Sequence, residues 1–212
     1  MTATLPFKEH WTLEELTLHL GPLEIQRPLS KSEFTQLAER YPKLRMERDP
    51  DGTTILISPV KKGSGRRESS LHGLIFLWNY HKGNGEVYGP NGTYDLPNGA
   101  TKMPDVSWIS PERLAGEPED EESFIHIVPD FVAEIRSASD RLSKLQQKMK
   151  ETWIANGVRL AWLIDPYEER AYIYREGQAE PEIVEGFSDR SLSGETVMPE
   201  FSLPLEKMKR RL

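Results

Sequence analysis

Hydrophobic patterns typical of helices and of strands alternate along this chain. Apolar residues recur at helical spacing in residues 68–81 and 142–153, which predicts a helix in each segment. Residues 160–164 are an unbroken apolar run, as expected of a strand buried on both faces, with residues 172–174 as its hairpin partner. After Gly177 no period is clear, and the chain is predicted to be irregular there. Helices that alternate with strands predict an α/β or α+β fold with a central sheet.

The first part of the chain carries cap and turn signals. Ser30 or Ser32 is expected to cap a helix that ends before Pro42. The sequence Asp-Pro-Asp-Gly at residues 49–52 is a strong turn signal, and the apolar segments on either side of it predict a hairpin.

The length of 212 residues suits one substantial core. Residues 1–29 contain helix-like fragments, but Gly21-Pro22 and Pro28 interrupt them. We therefore predict an N-terminal arm at residues 1–29, followed by a single domain at residues 30–212.

Two short apolar segments each contain one carboxylate. Asp105 lies in the strand predicted at residues 103–109, and Glu134 lies in the strand predicted at residues 127–136. Because strand side chains alternate between faces, Glu134 and Arg136 are expected to project together. Two carboxylates on neighbouring core strands repel each other unless a hard cation lies between them. The pattern therefore predicts a site for Mg²⁺ or Mn²⁺.

The same two acids also have structural explanations. Asp105 follows a proline and is equally typical of a residue that caps a turn. Glu134 could form a buried ion pair with Arg136 or with a lysine of the following helix. Such a pair contributes little net stability after desolvation, so a buried glutamate at this position favours a functional role.

Three basic groups could contact a polyanion. Arg66 and Arg67 lie in a glycine-containing segment that is predicted to be a loop, and Arg141 and Lys144 follow the Glu134 strand. For these two groups, nucleic-acid binding and simple surface solvation both stay open. For the third group, at residues 207–211, a solvated surface is the preferred interpretation because chain ends are commonly frayed.

Three separated segments carry a resemblance to a known family. Residues 96–108, 129–137 and 156–166 resemble, in this order, the Uma-two family of restriction-endonuclease-like proteins. The spacing from Asp105 to Glu134 is similar to the Asp … Glu-x-Lys motif of the PD-(D/E)XK nuclease superfamily. The resemblance implies a central mixed β-sheet flanked by helices and a metal-dependent endonuclease that hydrolyses DNA. It also implies a homodimer, since cleaving both strands of a duplex needs two active sites.

The resemblance assigns the metal ligands. Asp105 and Glu134, together with the backbone carbonyl of Ile135, would hold Mg²⁺ or Mn²⁺ through oxygen atoms. Positions left open on the cation would accept water and a phosphate oxygen.

The sequence departs from the superfamily at the lysine. Arg136 stands two residues after the glutamate, and a guanidinium can clamp a phosphate but cannot accept a proton. Lys148, or with less support Lys144, could bring an ammonium group to the same place from the following helix. Glu68 would support the metal or that lysine, as acids of the first helix do in such nucleases.

Arg136 in the lysine position keeps a second function open. The chain could be a catalytically inactive nuclease-fold module that binds nucleic acid or takes part in an assembly. A glycosidase that uses two carboxylates is a third alternative, but the lysine-rich helix and the lack of a broad aromatic cleft disfavour it.

Composition argues against several other classes of protein. The net charge of −7 argues against a protein that coats nucleic acid, but not against a nuclease whose site takes its positive charge from a cation. The chain has no cysteine, and its five histidines lack the paired spacing of a zinc site. No apolar run approaches the ~20 residues that a membrane span needs, and no signal-peptide pattern is present. We therefore expect a soluble, cytoplasmic protein.

Overall fold

The computed structural model of this protein describes residues 10–82, 85–117 and 120–211. The first nine residues of the predicted N-terminal arm lie outside these ranges. The helices are α1 (Leu13–Leu20), α2 (Lys31–Arg40), α3 (Lys62–Lys82), α4 (Pro111–Leu114) and α5 (Leu142–Gln147). A π-helix (Lys148–Trp153) and a 3₁₀ turn (Ile154–Asn156) continue α5, and a second 3₁₀ turn is formed by Leu205–Met208.

The strands are short. They are β1 (Leu23–Ile25), β2 (Met46–Arg48), β3 (Thr54–Leu56), β4 (Glu86–Tyr88), β5 (Tyr94–Asp95), β6 (Thr101–Lys102), β7 (Val106–Ile109), β8 (Phe131–Ile135), β9 (Leu160–Asp165), β10 (Arg170–Arg175), β11 (Glu182–Glu185), β12 (Ser191–Ser193) and β13 (Ser202–Pro204). The prediction of an irregular chain after Gly177 is wrong, because β11, β12 and β13 lie there. These strands are mostly exposed and hold three or four residues each, so they leave no clear hydrophobic period.

The chain forms two compact units, of which the first contains the described residues up to Val60 together with Pro97–Lys102. Its strands pair antiparallel in the order β1-β3-β2-β6. The predicted hairpin is confirmed by β2 and β3, and the predicted helix cap is confirmed by Ser30, which precedes α2. This unit includes residues on both sides of position 29, so the division into an arm and a domain stays a prediction.

The second unit contains Lys61–Leu96 and the chain from Met103 onward. Its six-stranded sheet has the order β11-β10-β9-β8-β7-β4. Among the described strands of this sheet, β8 and β9 run parallel and the other neighbours run antiparallel. This mixed sheet with its helices confirms the predicted fold class. The predicted buried strand is β9, all of whose residues are buried, and β10 is its hairpin partner.

The two faces of the six-stranded sheet have different surroundings. Side chains such as Val106 and Trp162 form the main core on one face, together with Leu71 and Ile75 of α3. The π-helix after α5 lies against β9 and buries Trp153 completely. The sheet therefore separates a mainly apolar core from a region where charged groups are buried.

The start of α3 differs from the prediction. Residues 61–67 were expected to be a loop, but the helix begins at Lys62 and includes the glycine-rich segment. Glycine disfavours a helix by about 1 kcal/mol relative to alanine, which is the reason for the prediction. The burial of Ser64 and Arg67 indicates that tertiary packing outweighs this cost.

None of the helices in the described parts of the chain combines the length and the apolar character needed to span a lipid bilayer.

Candidate active site

Asp105 and Glu134 are neighbours across two antiparallel strands. Val106 of β7 pairs with Ala133 of β8, so the next position outward places Asp105 opposite Glu134. Directly opposite residues of an antiparallel pair project from the same face. Oδ2 of Asp105 accepts a hydrogen bond from the Ile135 N–H at 2.7 Å, which holds the carboxylate against β8. The structure thus brings the two predicted acids together, and their role as metal ligands stays a prediction.

Glu134 is a buried acid with two donors on one oxygen. Its Oε1 lies 2.8 Å from Nζ of Lys148 and 2.9 Å from the indole Nε1 of Trp153. The Lys148 ammonium also donates to the Met103 carbonyl at 3.4 Å. The helix lysine that was predicted to approach the carboxylates is therefore beside Glu134, and its side chain is only 17% exposed.

The π-helix explains how one oxygen receives both donors. In an α-helix, residues five apart point about 140° away from each other, since each residue turns the helix by about 100°. In a π-helix the bonding pattern runs from i to i+5, so residues 148 and 153 project from nearly the same side. The widened turn therefore aims Lys148 and Trp153 together at Glu134. Single π turns of this kind often occur at functional sites.

Sequence reasoning missed the role of Trp153. Its position in the apolar stripe predicted a core residue, and it is indeed fully buried. A buried indole N–H usually finds a hydrogen-bond partner, and this rule was the available signal for a polar contact. The partner itself lies 19 residues away in sequence, so no local pattern identifies it.

Negative charge accumulates around Asp105. Burial raises the pKa of the Asp105 carboxyl well above its usual range, and the charges of Glu134 and then Glu68 raise it further. The Ile135 N–H and the Lys148 ammonium act in the opposite direction. Glu68 is itself buried on α3 and is near enough for its charge to act on Asp105. This environment favours any added positive charge.

The acids do not form a complete metal cage by themselves. Within residues 10–82, 85–117 and 120–211, no three His, Cys, Asp or Glu side chains lie close enough to hold a metal ion. A cation at this position would thus take two carboxylates and would complete its coordination with main-chain oxygen and water. Mg²⁺ is commonly bound in this way, because it keeps several of its waters.

Arg136 has different partners from those expected. Its Nη1 lies 2.7 Å from Oδ2 of Asp165, and its guanidinium carbon lies 5.6 Å from the centre of the Tyr167 ring. Its Nε donates to the Asp140 carbonyl at 3.3 Å. The ion pair with Asp165 raises the pKa of Arg136, so this guanidinium keeps its charge. Glu134 therefore pairs with the helix lysine and Arg136 pairs elsewhere, and a catalytic role for Arg136 stays a prediction.

The predicted nucleic-acid contacts fall into two places. Arg66 and Arg67 are on α3, where Arg66 donates to backbone carbonyls and Arg67 is buried with Ser64 as a hydrogen-bond partner. Arg141 caps the start of α5, and Lys144 lies within that helix. In the described parts of the chain, neither the Arg141 nor the Lys144 side chain forms a hydrogen bond or an ion pair. Nucleic-acid binding by these four residues stays a prediction.

Comparisons with known proteins identify the family and the fold of this chain. The model of the Uma2 family (the Uma-two family above), described as "Putative restriction endonuclease", matches residues 32–206. A solved structure described as "a putative nuclease belonging to DUF820 from Anabaena variabilis ATCC 29413" matches with a TM-score of 0.71 and 22% identity over 85% of this chain and 97% of that chain. It shows that the two chains share a fold.

A second solved structure is more distant. The DrdV–DNA complex matches with a TM-score of 0.35 and 16% identity over 57% of this chain and 10% of that chain. No curated protein matches the sequence.

Proposed function

This chain belongs to the Uma2 family, described as "Putative restriction endonuclease", and from this premise we propose that it is a divalent-metal-dependent nuclease that hydrolyses phosphodiester bonds in DNA. Family membership supports the nuclease role, while the metal and the DNA substrate are our own proposals. The observation that carries them is the cross-strand pair Asp105 and Glu134 with the Lys148 ammonium 2.8 Å from Glu134. Two acids and one lysine at a strand end can bind a cation and a phosphate together.

The donor set suits Mg²⁺ or Mn²⁺. The proposed ligands are the carboxylates of Asp105 and Glu134 and the backbone carbonyl of Ile135, all of them hard oxygen donors. The Ile135 N–H donates to Oδ2 of Asp105, and within the described residues no hydrogen bond is made to Oδ1. When bound, the cation would supply positive charge that lowers the pKa of water and stabilises charge on the phosphate.

Lys148 supplies the second positive charge. An ammonium group has three donors, and two of the Lys148 contacts are Oε1 of Glu134 and the Met103 carbonyl. From this position its positive charge would act on a phosphate oxygen or on the attacking water. In the superfamily motif the lysine lies two residues after the glutamate, where this chain has Arg136. Lys148 would take over the role of that lysine from the following helix.

Trp153 would hold the carboxylate of Glu134 in a fixed orientation. Replacing Trp153 by phenylalanine keeps most of the buried ring but removes the N–H that donates to Oε1. We expect cation affinity to fall by about 10-fold, as is typical when a partner of a metal ligand is lost. Isothermal titration calorimetry with Mn²⁺ checks this value, and unchanged affinity would mean that the indole contributes packing alone. Trp162→Phe removes an indole of the opposite core face and is the matched control.

Cleavage of DNA in the presence of metal is the direct test. Supercoiled plasmid, linear duplex, single-stranded and branched DNA are each incubated with the protein and Mg²⁺ or Mn²⁺. We expect cleavage that EDTA abolishes and that Glu134→Gln lacks. Complete absence of cleavage of all four substrates with both metals would contradict the proposal.

A binding module without turnover is the second candidate. It is favoured by one observation, which is that Arg136 replaces the usual lysine and is held by Asp165. Such a protein would bind DNA but would not cleave it with either metal. The same set of incubations, combined with a binding measurement, separates the two functions.

A homodimer is also proposed. Cutting both strands of a duplex needs two active sites, and the family resemblance implies such a pair. Light scattering of the protein with and without duplex DNA tests it, and a monomer under both conditions would contradict it.

A further inference from the structure

The basic residues at the end of the chain are not frayed. Arg66 of α3 donates from Nη1 to the Lys207 carbonyl at 3.3 Å and from Nη2 to the Lys209 carbonyl at 2.7 Å. The ammonium of Lys209 donates to the Ser188 hydroxyl at 2.6 Å. The 3₁₀ turn before this segment buries Leu205 and Met208 in the core. The terminal segment is therefore docked on α3 rather than frayed, while the side chains of Lys207, Arg210 and Arg211 are exposed, as the sequence predicted.

Docking of this segment brings cationic side chains together. The pKa of Arg66 is lowered, mainly by burial and then by the positive charges of Arg211 and Arg67. Arg210 lies 4.8 Å from the centre of the Tyr167 ring, and Arg136 lies 5.6 Å from the centre of the same ring. We use the name basic strip for Arg66, Arg136, Arg210 and Arg211, of which Arg136 and Arg210 contact Tyr167.

Among the described residues, most of the charge on the basic strip has no acidic partner. Arg136 pairs with Asp165, but no described carboxylate forms an ion pair with Arg66, Arg210 or Arg211. The chain has a net charge of −7, so acidic residues outnumber basic ones. A cluster of arginines without acidic partners is therefore unusual for this composition. Holding like charges together costs free energy that a bound polyanion would offset.

The basic strip borders the candidate active site. Arg136 follows Glu134 by two residues at the end of β8, and Arg66 precedes Glu68 by two residues on α3. The charge of Glu68 acts on Asp105, so α3 carries both one residue of the strip and one acid near Asp105. A phosphate chain bound at Arg136 would lie beside the end of the strand that carries Glu134.

We propose that the basic strip binds the phosphate backbone of duplex DNA and directs it to Asp105 and Glu134. This inference rests on the proposed function, because it takes DNA as the substrate. Guanidinium groups match phosphate geometry with paired N–H donors, and contacts to the backbone position a duplex without reading its sequence. Tyr167 keeps Arg136 and Arg210 in place through cation–π contacts, so little ordering remains for the moment of binding.

The test is a DNA-binding measurement on the full chain in EDTA. Fluorescence anisotropy of a labelled duplex oligonucleotide is recorded from low to high salt for wild type and for Arg210→Ala/Arg211→Ala. Each lost phosphate contact reduces the slope of log affinity against log salt by about 0.9, so we expect a slope reduced by roughly 2. At moderate salt we expect affinity to fall about tenfold or more.

Two further variants make the result specific. Lys82→Ala/Arg170→Ala removes the same charge from exposed side chains that pair with Glu200 and Glu185, and it should change the slope little. Arg210→Lys/Arg211→Lys keeps the charge and should retain most of the slope. Thermal melts of all variants verify that they are folded.

The outcomes decide the inference independently of the nuclease proposal. Wild-type affinity and slope in the double alanine variant would overturn it, as would an equal loss in the Lys82/Arg170 control. Binding of anionic-lipid vesicles without binding of duplex DNA would also overturn it. If the slope falls as expected but wild type cleaves no DNA with Mg²⁺ or Mn²⁺, the basic strip stands and the proposed nuclease activity fails.

Discussion

Replacing Lys148 by methionine is expected to lower the DNA cleavage rate by about 100- to 1,000-fold, as is typical when a group that stabilises transition-state charge is removed. Methionine keeps the length and the apolar stem of the side chain but loses the ammonium. Because that ammonium competes for Oε1 of Glu134, cation affinity should be kept or increased. Single-turnover cleavage and calorimetry with Mn²⁺ measure the two quantities separately.

The matched control for Lys148 is on the same helical segment. Lys150 also lies in the π-helix, but its ammonium pairs with the exposed Glu180 at 2.8 Å. Lys150→Met should cleave at the wild-type rate. Full activity of Lys148→Met would rule out its catalytic role, and loss of cation binding in that variant would make the lysine a structural counter-ion of Glu134.

Replacing Asp105 by asparagine is expected to abolish Mg²⁺ and Mn²⁺ binding and to reduce cleavage at least 1,000-fold. Without metal, however, the variant should be more stable than wild type at neutral pH, by about 1 kcal/mol, or ~2–4 °C in Tm. The reason is that the change removes a buried charge beside Glu134 and Glu68. The asparagine oxygen can still accept from the Ile135 N–H.

The pH dependence of this difference has a definite sign. The pKa of Asp105 is raised in the folded protein, so at pH values between its unfolded-state and folded-state pKa the folded state binds more protons than the unfolded state. The stability of metal-free wild type should therefore fall as pH rises from the usual aspartate range toward neutrality. The advantage of Asp105→Asn grows over the same interval and disappears at low pH. Thermal melts in EDTA across this range provide the measurement.

A second buried aspartate is the control for Asp105. Asp130 accepts from the Ser110 N–H at 2.8 Å and lies 3.2 Å from Arg113 and 3.3 Å from Arg159. Asp130→Asn should lose about 3 kcal/mol of stability, because two arginines lose their counter-ion, but it should still bind metal. Destabilisation of Asp105→Asn by a similar amount would mean that Asp105 is structural.

The sequence predicted the parts of the fold that depend on local pattern. The apolar run of β9, its partner β10 and the turn between β2 and β3 are encoded within a few residues of each strand. The meeting of Asp105 and Glu134 was also predictable, since each acid interrupts an apolar strand where a buried charge needs a partner. Strand neighbours then make the two positions adjacent.

The remaining features depend on contacts between distant positions. The π-helix leaves no trace in the stripe that ends at Trp153, because that stripe fits an ordinary helical period. Arg136 and Asp165 are 29 residues apart; Arg136 directly follows β8 and Asp165 ends β9, and these strands become neighbours only in the folded sheet. The docking of Arg66 on Lys209 spans 143 residues. No window of the sequence contains both members of such pairs.

The parallel arrangement of β8 and β9 has a consequence for how this protein tolerates change. Parallel neighbours require a crossover, and the segment of α5 and the π-helix is that crossover. Inserting or deleting one residue ahead of Lys148 would swing its side chain by about 100° around the helix axis. In a nuclease whose lysine lies on the same strand as the glutamate, a change in the length of the following helix would not move the lysine. In this chain, the number of helical residues before Lys148 must be kept for the lysine to reach Glu134, just as the two acids must be kept.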